Sequence, residues 1–293
     1  MRFTTPSVLT ASAGAFALAI VIGAGTPDRT TASATFPIRV ETVTVMPGSF
    51  TFRQPGEYLR ADRPIDAPLG TVEFRSGFDI MKFQVSAADY ALCVTDGGCT
   101  AADGSVSATP GEMPVTGVNY RDATTYAAWL SRKSGENWRL PTDAEWAFAA
   151  AERFADEALG LNDEGANPAA RWLARYRSEA DKAAPEPAPK PQGHFGINKK
   201  GLVDVSGNVW DWTTTCYVRA SLNADGTIEE STENCGVRVV AGRHRGYMSH
   251  FIRDGKSGGC AAGMAPHNLG IRLIREQASL MTRFRKLLNG AAS

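Results

Sequence analysis

The sequence predicts short strands first and helices after them. Two observations carry this. Residues 38–45 (IRVETVTV) alternate apolar and polar side chains, the period of a strand with one buried face, and further β-branched runs follow between prolines and glycines. Further on, two segments have apolar residues at helical spacing behind residues that cap helix N-termini.

The first strand, 38–45, is followed by short strands at 50–53 and around 72–74. Within 78–94 (FDIMKFQVSAADYALCV), Ser86 is placed as a helix N-cap, because its hydroxyl can accept from an amide that no helical carbonyl reaches. A helix is expected over 122–133, capped by Asp122 and ended by Gly135, with Tyr126, Trp129 and Leu130 recurring on its core face. The next begins at Thr142, where Thr142 and Glu145 form a capping box ahead of Trp146 and Phe148; this gives Glu145 a structural role. Residues 181–192 (DKAAPEPAPKPQ) form a Pro- and Ala-rich linker or surface loop. Residues 277–293 suggest a basic amphipathic helix, with Leu280, Phe284, Leu287 and Leu288 on the side expected to pack on the domain, a partner contact being the alternative.

Composition bounds the function. With 293 residues and 43% apolar content a sizeable core can form. Lys plus Arg and Asp plus Glu number 31 each, so no net field draws the chain to nucleic acid or an anionic membrane. The N-terminus has Arg2, an apolar run over 13–25 and an Ala32-Ser33-Ala34 exit, which reads as a signal peptide over 1–34. The run falls short of the ~20 residues that a spanning helix needs. A mature exported protein, off the membrane, is the expectation. Five cysteines suit that setting. Cys93 and Cys99 bracket a short turn, and Cys216 and Cys235 flank a polar stretch that reads as an irregular insertion. Cys260 is then left over as a buried small hydrophobe, with its pairing to Cys216 or Cys235 the alternative. No GxGxxG, P-loop, HExxH or CxxC occurs, and the four histidines lack paired spacing, so nucleotide, haem and facial iron sites are not expected.

Four pieces, in order, carry a resemblance: Arg139-Leu140-Pro141-Thr142-Asp143-Ala144-Glu145-Trp146; Gly207-Asn208-Val209-Trp210-Asp211-Trp212; Gly246-Tyr247-Met248; and Cys260-Ala261-Ala262 with Asn268-Leu269-Gly270-Ile271-Arg272. Together they resemble the sulfatase-modifying-factor, or formylglycine-generating-enzyme-like, family over roughly 40–276, so a domain over 35–276 is expected. The resemblance implies that family's fold: irregular α+β, related to C-type lectins and low in regular secondary structure. It also implies a calcium site formed by the side chains of Asp204 and Asp211 and the carbonyls of Gly207 and Val209. Hard oxygens on a tight turn suit that ion. In copper-using members two cysteines flank a loop directly after Tyr-Met, where this chain has Ser249 and Asp254. Copper(I) prefers thiolates, so no copper is expected. Ser249, Asp254, His250 and Arg253 are the candidate catalytic pocket, with Tyr247 and Arg243 as substrate contacts. A Ser249-His250-Asp254 triad is disfavoured, because adjacent residues rarely face one another and triads converge from separate segments.

Among exported members without those cysteines, the run 243–260 is most similar to the NirV type that accompanies copper nitrite reductases, and then to the PvdO type of pyoverdine maturation. That implies a periplasmic accessory or maturation factor for a redox enzyme, holding a protein or peptide partner beside Ser249 to Asp254. The alternatives are a cysteine-independent oxidase of a small aromatic substrate and a non-catalytic lectin-like scaffold.

Overall fold

The strand expected over 38–45 forms at its C-terminal half, as β1 (Thr42–Val45), where Val45 enters the core. The computed structural model describes residues 38–103, 112–155, 188–255 and 268–276, with Ala158 and Arg177. By its contacts the chain divides into Met1–Thr35 and Phe36–Ser293. The expected signal peptide, the helix over 277–293, Cys260 and most of 181–192 lie outside the described residues.

The next elements are β2 (Gly48–Arg53), β3 (Glu57–Arg60), β4 (Arg63–Ile65), β5 (Leu69–Phe74) and β6 (Phe78–Met81). Helix α1 (Ala87–Thr95) starts where Ser86 accepts from the Asp89 amide, as its sequence predicts. Helix α2 (Tyr120–Ser134) starts earlier than expected. Asn119 is the extended cap residue and Asp122 sits three positions inside, its carboxylate accepting from the Asn119 amide. Both residue types can cap, and only the backbone conformation decides which one does. Gly135 ends α2 at φ 70°, in the left-handed region that a side chain would penalise. After β7 (Asn137–Arg139), α3 (Asp143–Ala150) carries the expected box between Thr142 and Glu145.

The remaining strands are β8 (Trp210–Leu222), β9 (Ile228–Ala241), β10 (Arg245–Ser249), β11 (Leu269–Gly270) and β12 (Ile274–Glu276). The polar segment between Cys216 and Cys235 is therefore not an irregular insertion. It is the outer part of a long antiparallel hairpin, closed at Asn223–Thr227 by Gly226 at φ 85° and by the Asp225 carboxylate accepting from the Thr227 amide. The alternation that would reveal it is missing, because β9 is exposed on both faces from Ile228 to Gly236.

Among the described residues three sheets form, in the orders β1-β6-β12-β7, β10-β9-β8-β3-β4 with β11 parallel to β8, and β2-β5. Because β1 and β12 both pair with β6, the two ends of the domain meet in one sheet. The core has two main clusters. One gathers α1, α2 and the Trp210–Trp212 stretch, and the other gathers Val45, Ile80, Trp146, Leu202 and Ile274. No helix among the described residues is long and apolar enough to cross a membrane.

Candidate functional site

At the start of β8 the motif residues converge on one carboxylate. Asp211 is fully buried; its Oδ2 lies 3.1 Å from Arg272 Nε and accepts from Trp146 Nε1 at 2.9 Å, and its Oδ1 accepts from Gln84 Nε2 at 3.2 Å. Arg272, also fully buried, donates its other N–H groups to the carbonyls of Met81, Lys82 and Val203. Burial pushes the Asp211 carboxyl upward, while Arg272, Trp146 and Gln84 all hold it down. Such a pair need not add net stability, but removing one partner strands a buried charge. Gly270 has to be glycine here, since a Cβ would come within 2.3 Å of Val209.

The Asp143-Ala144-Glu145 stretch is engaged in the same manner. Asp143 pairs with buried Arg245, whose Nε donates to Asp143 Oδ1 at 3.0 Å and whose Nη2 lies 2.9 Å from Asp143 Oδ2. Arg245 also faces the rings of Phe52 and Phe154. Arg139 grips Glu145 with two N–H groups, at 2.8 and 2.6 Å. Against the burial that would raise it, Arg139 and the Thr142 amide hold the Glu145 carboxyl below its ordinary range.

Residues 204–208 form a turn in which Asp204, Ser206 and Asn208 all have positive φ. The Asp204 carboxylate accepts from the amides of Gly193 and Phe195 at 2.6 and 2.7 Å. Asn208 exchanges two bonds with the Lys190 backbone, and Ser206 donates to the Arg153 carbonyl. A Cβ on Gly207 would meet the Phe195 side chain at 2.8 Å. The expected calcium set does not fit this geometry. Asp204 is committed to amides, Asp211 to Arg272, Trp146 and Gln84, and the Val209 carbonyl to Gln84 at 3.0 Å. Three of the four expected ligands thus already face N–H donors, where an ion of six to eight ligands would need their oxygens.

The loop after β10 is placed at the sheet edge. Ser249 pairs with Val237 of β9, and its hydroxyl makes no hydrogen bond among the described residues. His250 donates both its amide and its Nδ1 to the Gly236 carbonyl, at 2.9 and 3.0 Å. With Nδ1–H committed to a carbonyl, the ring is held by the backbone, not by Ser249. Arg253 reaches Asp103 at 2.7 Å and Asp122 at 2.8 Å, tying the loop to the start of α2. Tyr247 turns elsewhere: its hydroxyl accepts from the Gly56 amide at 2.7 Å and its ring meets Tyr217 edge-on. Asp254 is exposed and Arg243 half-buried in the β9–β10 connection. So Ser249 ends β10, His250 and Asp254 lie in the loop after it, Arg253 anchors that loop, and Tyr247 is committed to the inner part of the sheet. The other described histidines have separate settings, His244 against Trp210 and His194 against Phe195.

Both expected disulfides are present, Cys93–Cys99 and Cys216–Cys235. Cys216, Glu233 and Cys235 also group at metal-ligand spacing, but two of the three are joined to each other. What the motifs alone did not reveal is the role of Arg272, Trp146, Gln84 and Arg245. One clue is in the sequence: Arg272 is a lone charge inside the apolar run Leu269–Ile274.

Comparison with known proteins agrees with this architecture. The chain is 41% identical over 105 residues to the formylglycine-generating enzyme of Mycobacterium tuberculosis, which covers 35% of this chain and 33% of that protein. It is 33% identical over 114 residues to the inactive C-alpha-formylglycine-generating enzyme 2 of Mus musculus, covering 36% and 33%. The chain thus spans about a third of the length of each of these curated relatives. The structure of PvdO from Pseudomonas aeruginosa superposes with a TM-score of 0.52 at 23% identity, covering 80% of this chain and 94% of that one, a likeness of fold. Over residues 29–277 the sequence matches the sulfatase-modifying factor enzyme 1-like domain, and the chain belongs to that family.

Proposed function

We propose that this chain is an exported, periplasmic accessory or maturation factor for a redox enzyme such as a copper nitrite reductase, and that it does not oxidise cysteine with copper. The observation that carries this reading is the pair Ser249 and Asp254 at the positions where the family's copper-using members have cysteines. A hydroxyl and an exposed carboxylate offer no soft ligand to copper(I). The mouse relative, named as inactive, is a precedent for a family member without that activity.

A binding role is supported by the loop itself. Phe251 is 64% exposed between His250 and the Arg253 anchor, and Asn119 donates to its carbonyl at 3.4 Å. An aromatic side chain on a tethered loop is a suitable anchor for a protein or peptide partner, because little order is lost when it is covered. The test is calorimetric titration of the chain with copper-free nitrite reductase polypeptide. Binding that weakens roughly tenfold or more in Phe251→Ala is expected, the size of a modest hot spot. No binding, together with oxygen uptake that disappears in Ser249→Ala and Asp254→Asn, would replace this reading with the oxidase of a small aromatic substrate.

A further inference from the structure

The Cys216–Cys235 bridge lies at the edge of the Ser249–Asp254 loop, where the hairpin loses its register. Cys216 pairs with Arg238 while its neighbour Tyr217 pairs with Asn234, so residues 235–237 of β9 form a bulge with no partner on β8. The bulge is held against the loop by the two bonds from His250 to the Gly236 carbonyl. Bulges of this kind re-aim side chains at sheet edges. Cys235, in the outer half of β9, is exposed to solvent, and Cys216 on β8 is half-buried.

The surroundings of the two sulfurs are opposite in charge. Arg238 Nη1 lies 3.0 Å from Cys216 Sγ. Arg238 forms no ion pair with a carboxylate among the described residues, its Nε is buried without a partner, and its guanidinium lies over the Tyr120 ring at 4.5 Å. Glu233 Oε1 lies 3.0 Å from Cys235 Sγ. A cation beside one sulfur favours its thiolate, and a carboxylate beside the other disfavours it. The bridge is thus polarised, with an accessible sulfur to be attacked and a shielded, cation-paired sulfur to leave. Among the described residues, Cys93–Cys99 has no such arrangement. Cys93 is fully buried, and the amides of Gly98 and Cys99 close back on its carbonyl.

We infer that Cys216–Cys235 is a thiol–disulfide exchange site for a dithiol peptide or protein. A thiolate of the partner attacks Cys235 Sγ; the S–S bond breaks, and its electron pair leaves on Cys216 Sγ, paired with Arg238. The product is a mixed disulfide between the partner and Cys235. The partner's second thiolate then attacks the partner sulfur of that bond, releasing Cys235. In sum, one partner dithiol is oxidised to a disulfide and this cysteine pair is reduced to two thiols, with two electrons and two protons transferred. The inference does not rest on the proposed accessory role, since the sulfurs involved are not at the family's cysteine positions.

The test uses the full folded chain in its oxidised form, reduced glutathione as the thiol probe, an alkylating quench and peptide mapping. Glutathione on Cys235, alkylation on Cys216 and an intact Cys93–Cys99 bridge are expected. In Arg238→Gln the exchange should slow on the order of tenfold, because the leaving thiolate loses its cation. The inference is overturned if Cys93–Cys99 exchanges as fast, if the adduct forms on Cys216, or if both bridges resist until denaturant unfolds the chain. Should Arg238→Gln not fold, the adduct position and the rate ratio of the two bridges in the unaltered protein decide the question alone.

Discussion

Strand β8 begins and continues in two different chemical settings, and the contrast between them separates what builds this domain from what it can present. At Asp211 every carboxylate oxygen meets a donor and nothing is exposed. Five positions on, at Cys216, the strand is bridged to solvent-exposed Cys235 of β9, close to the end of edge strand β10, where the Ser249 hydroxyl makes no hydrogen bond among the described residues and Phe251 faces solvent. The motifs most visible in the sequence belong to the first setting. Their polar residues bind one another: Trp146 and Arg272 meet at Asp211, Asp143 meets Arg245, and Arg139 meets Glu145. The lesson is that a charged residue in a family motif can be architecture, and its partner tells which.

The contrast can be broken most severely at Arg272. Arg272→Ala leaves Asp211 buried without its cation and should cost about 3–5 kcal/mol of stability in urea unfolding. An apolar pair in place of both, Asp211→Leu with Arg272→Met, should recover much of that loss. If Arg272→Ala were neutral, the centre would not be the organising element described here.

A smaller effect is expected at the start of α3. Thr142→Ala removes the cap and should cost about 1 kcal/mol. The neighbouring Glu145 links stability to pH, because its carboxyl is held below the ordinary range in the fold. Its contribution is complete above the unfolded value of about 4.3 and is lost as pH falls below that, through the folded value. Thermal unfolding followed from neutral pH down to strong acid should show this loss in the unaltered chain and less of it in Glu145→Gln.

At the exposed end, Ser249→Ala should change stability by no more than about 0.5 kcal/mol, since the hydroxyl has no partner among the described residues to lose. The smallest effect is predicted for calcium. Chelator should leave the midpoint of thermal unfolding unchanged, because Asp204 and Asp211 are already satisfied by N–H groups. A fall of several degrees would mean that these carboxylates exchange protein donors for an ion.

How much of this was legible in the sequence depended on range. The Ser86 cap, the Thr142–Glu145 box, the stop at Gly135 and the core face of Tyr126, Trp129 and Leu130 are written within a few residues of one another, and all form as expected. The choice between Asn119 and Asp122 was not legible, because both side chains can cap and the backbone angle selects. Hairpin β8–β9 was hidden for another reason: with both faces of its outer half in solvent, no alternation is required of the sequence. The role of Asp211 was hidden by distance, since Arg272 lies 61 residues away and Trp146 lies 65. The loop at Ser249 to Asp254 was located by resemblance, but that its arginine points to Asp103 and Asp122 is a matter of tertiary structure.

The family's fold is kept here, and the central proposal is that its copper–thiol chemistry is not. It is tested most directly by incubating the oxidised, purified chain with copper(I), oxygen, reductant and a cysteine peptide derived from a sulfatase, and reading the peptide by mass spectrometry. The account predicts an unchanged peptide carbon skeleton with no aldehyde at the cysteine position. Catalytic formation of that aldehyde, retained when Cys216 and Cys235 are both replaced by serine, would contradict it.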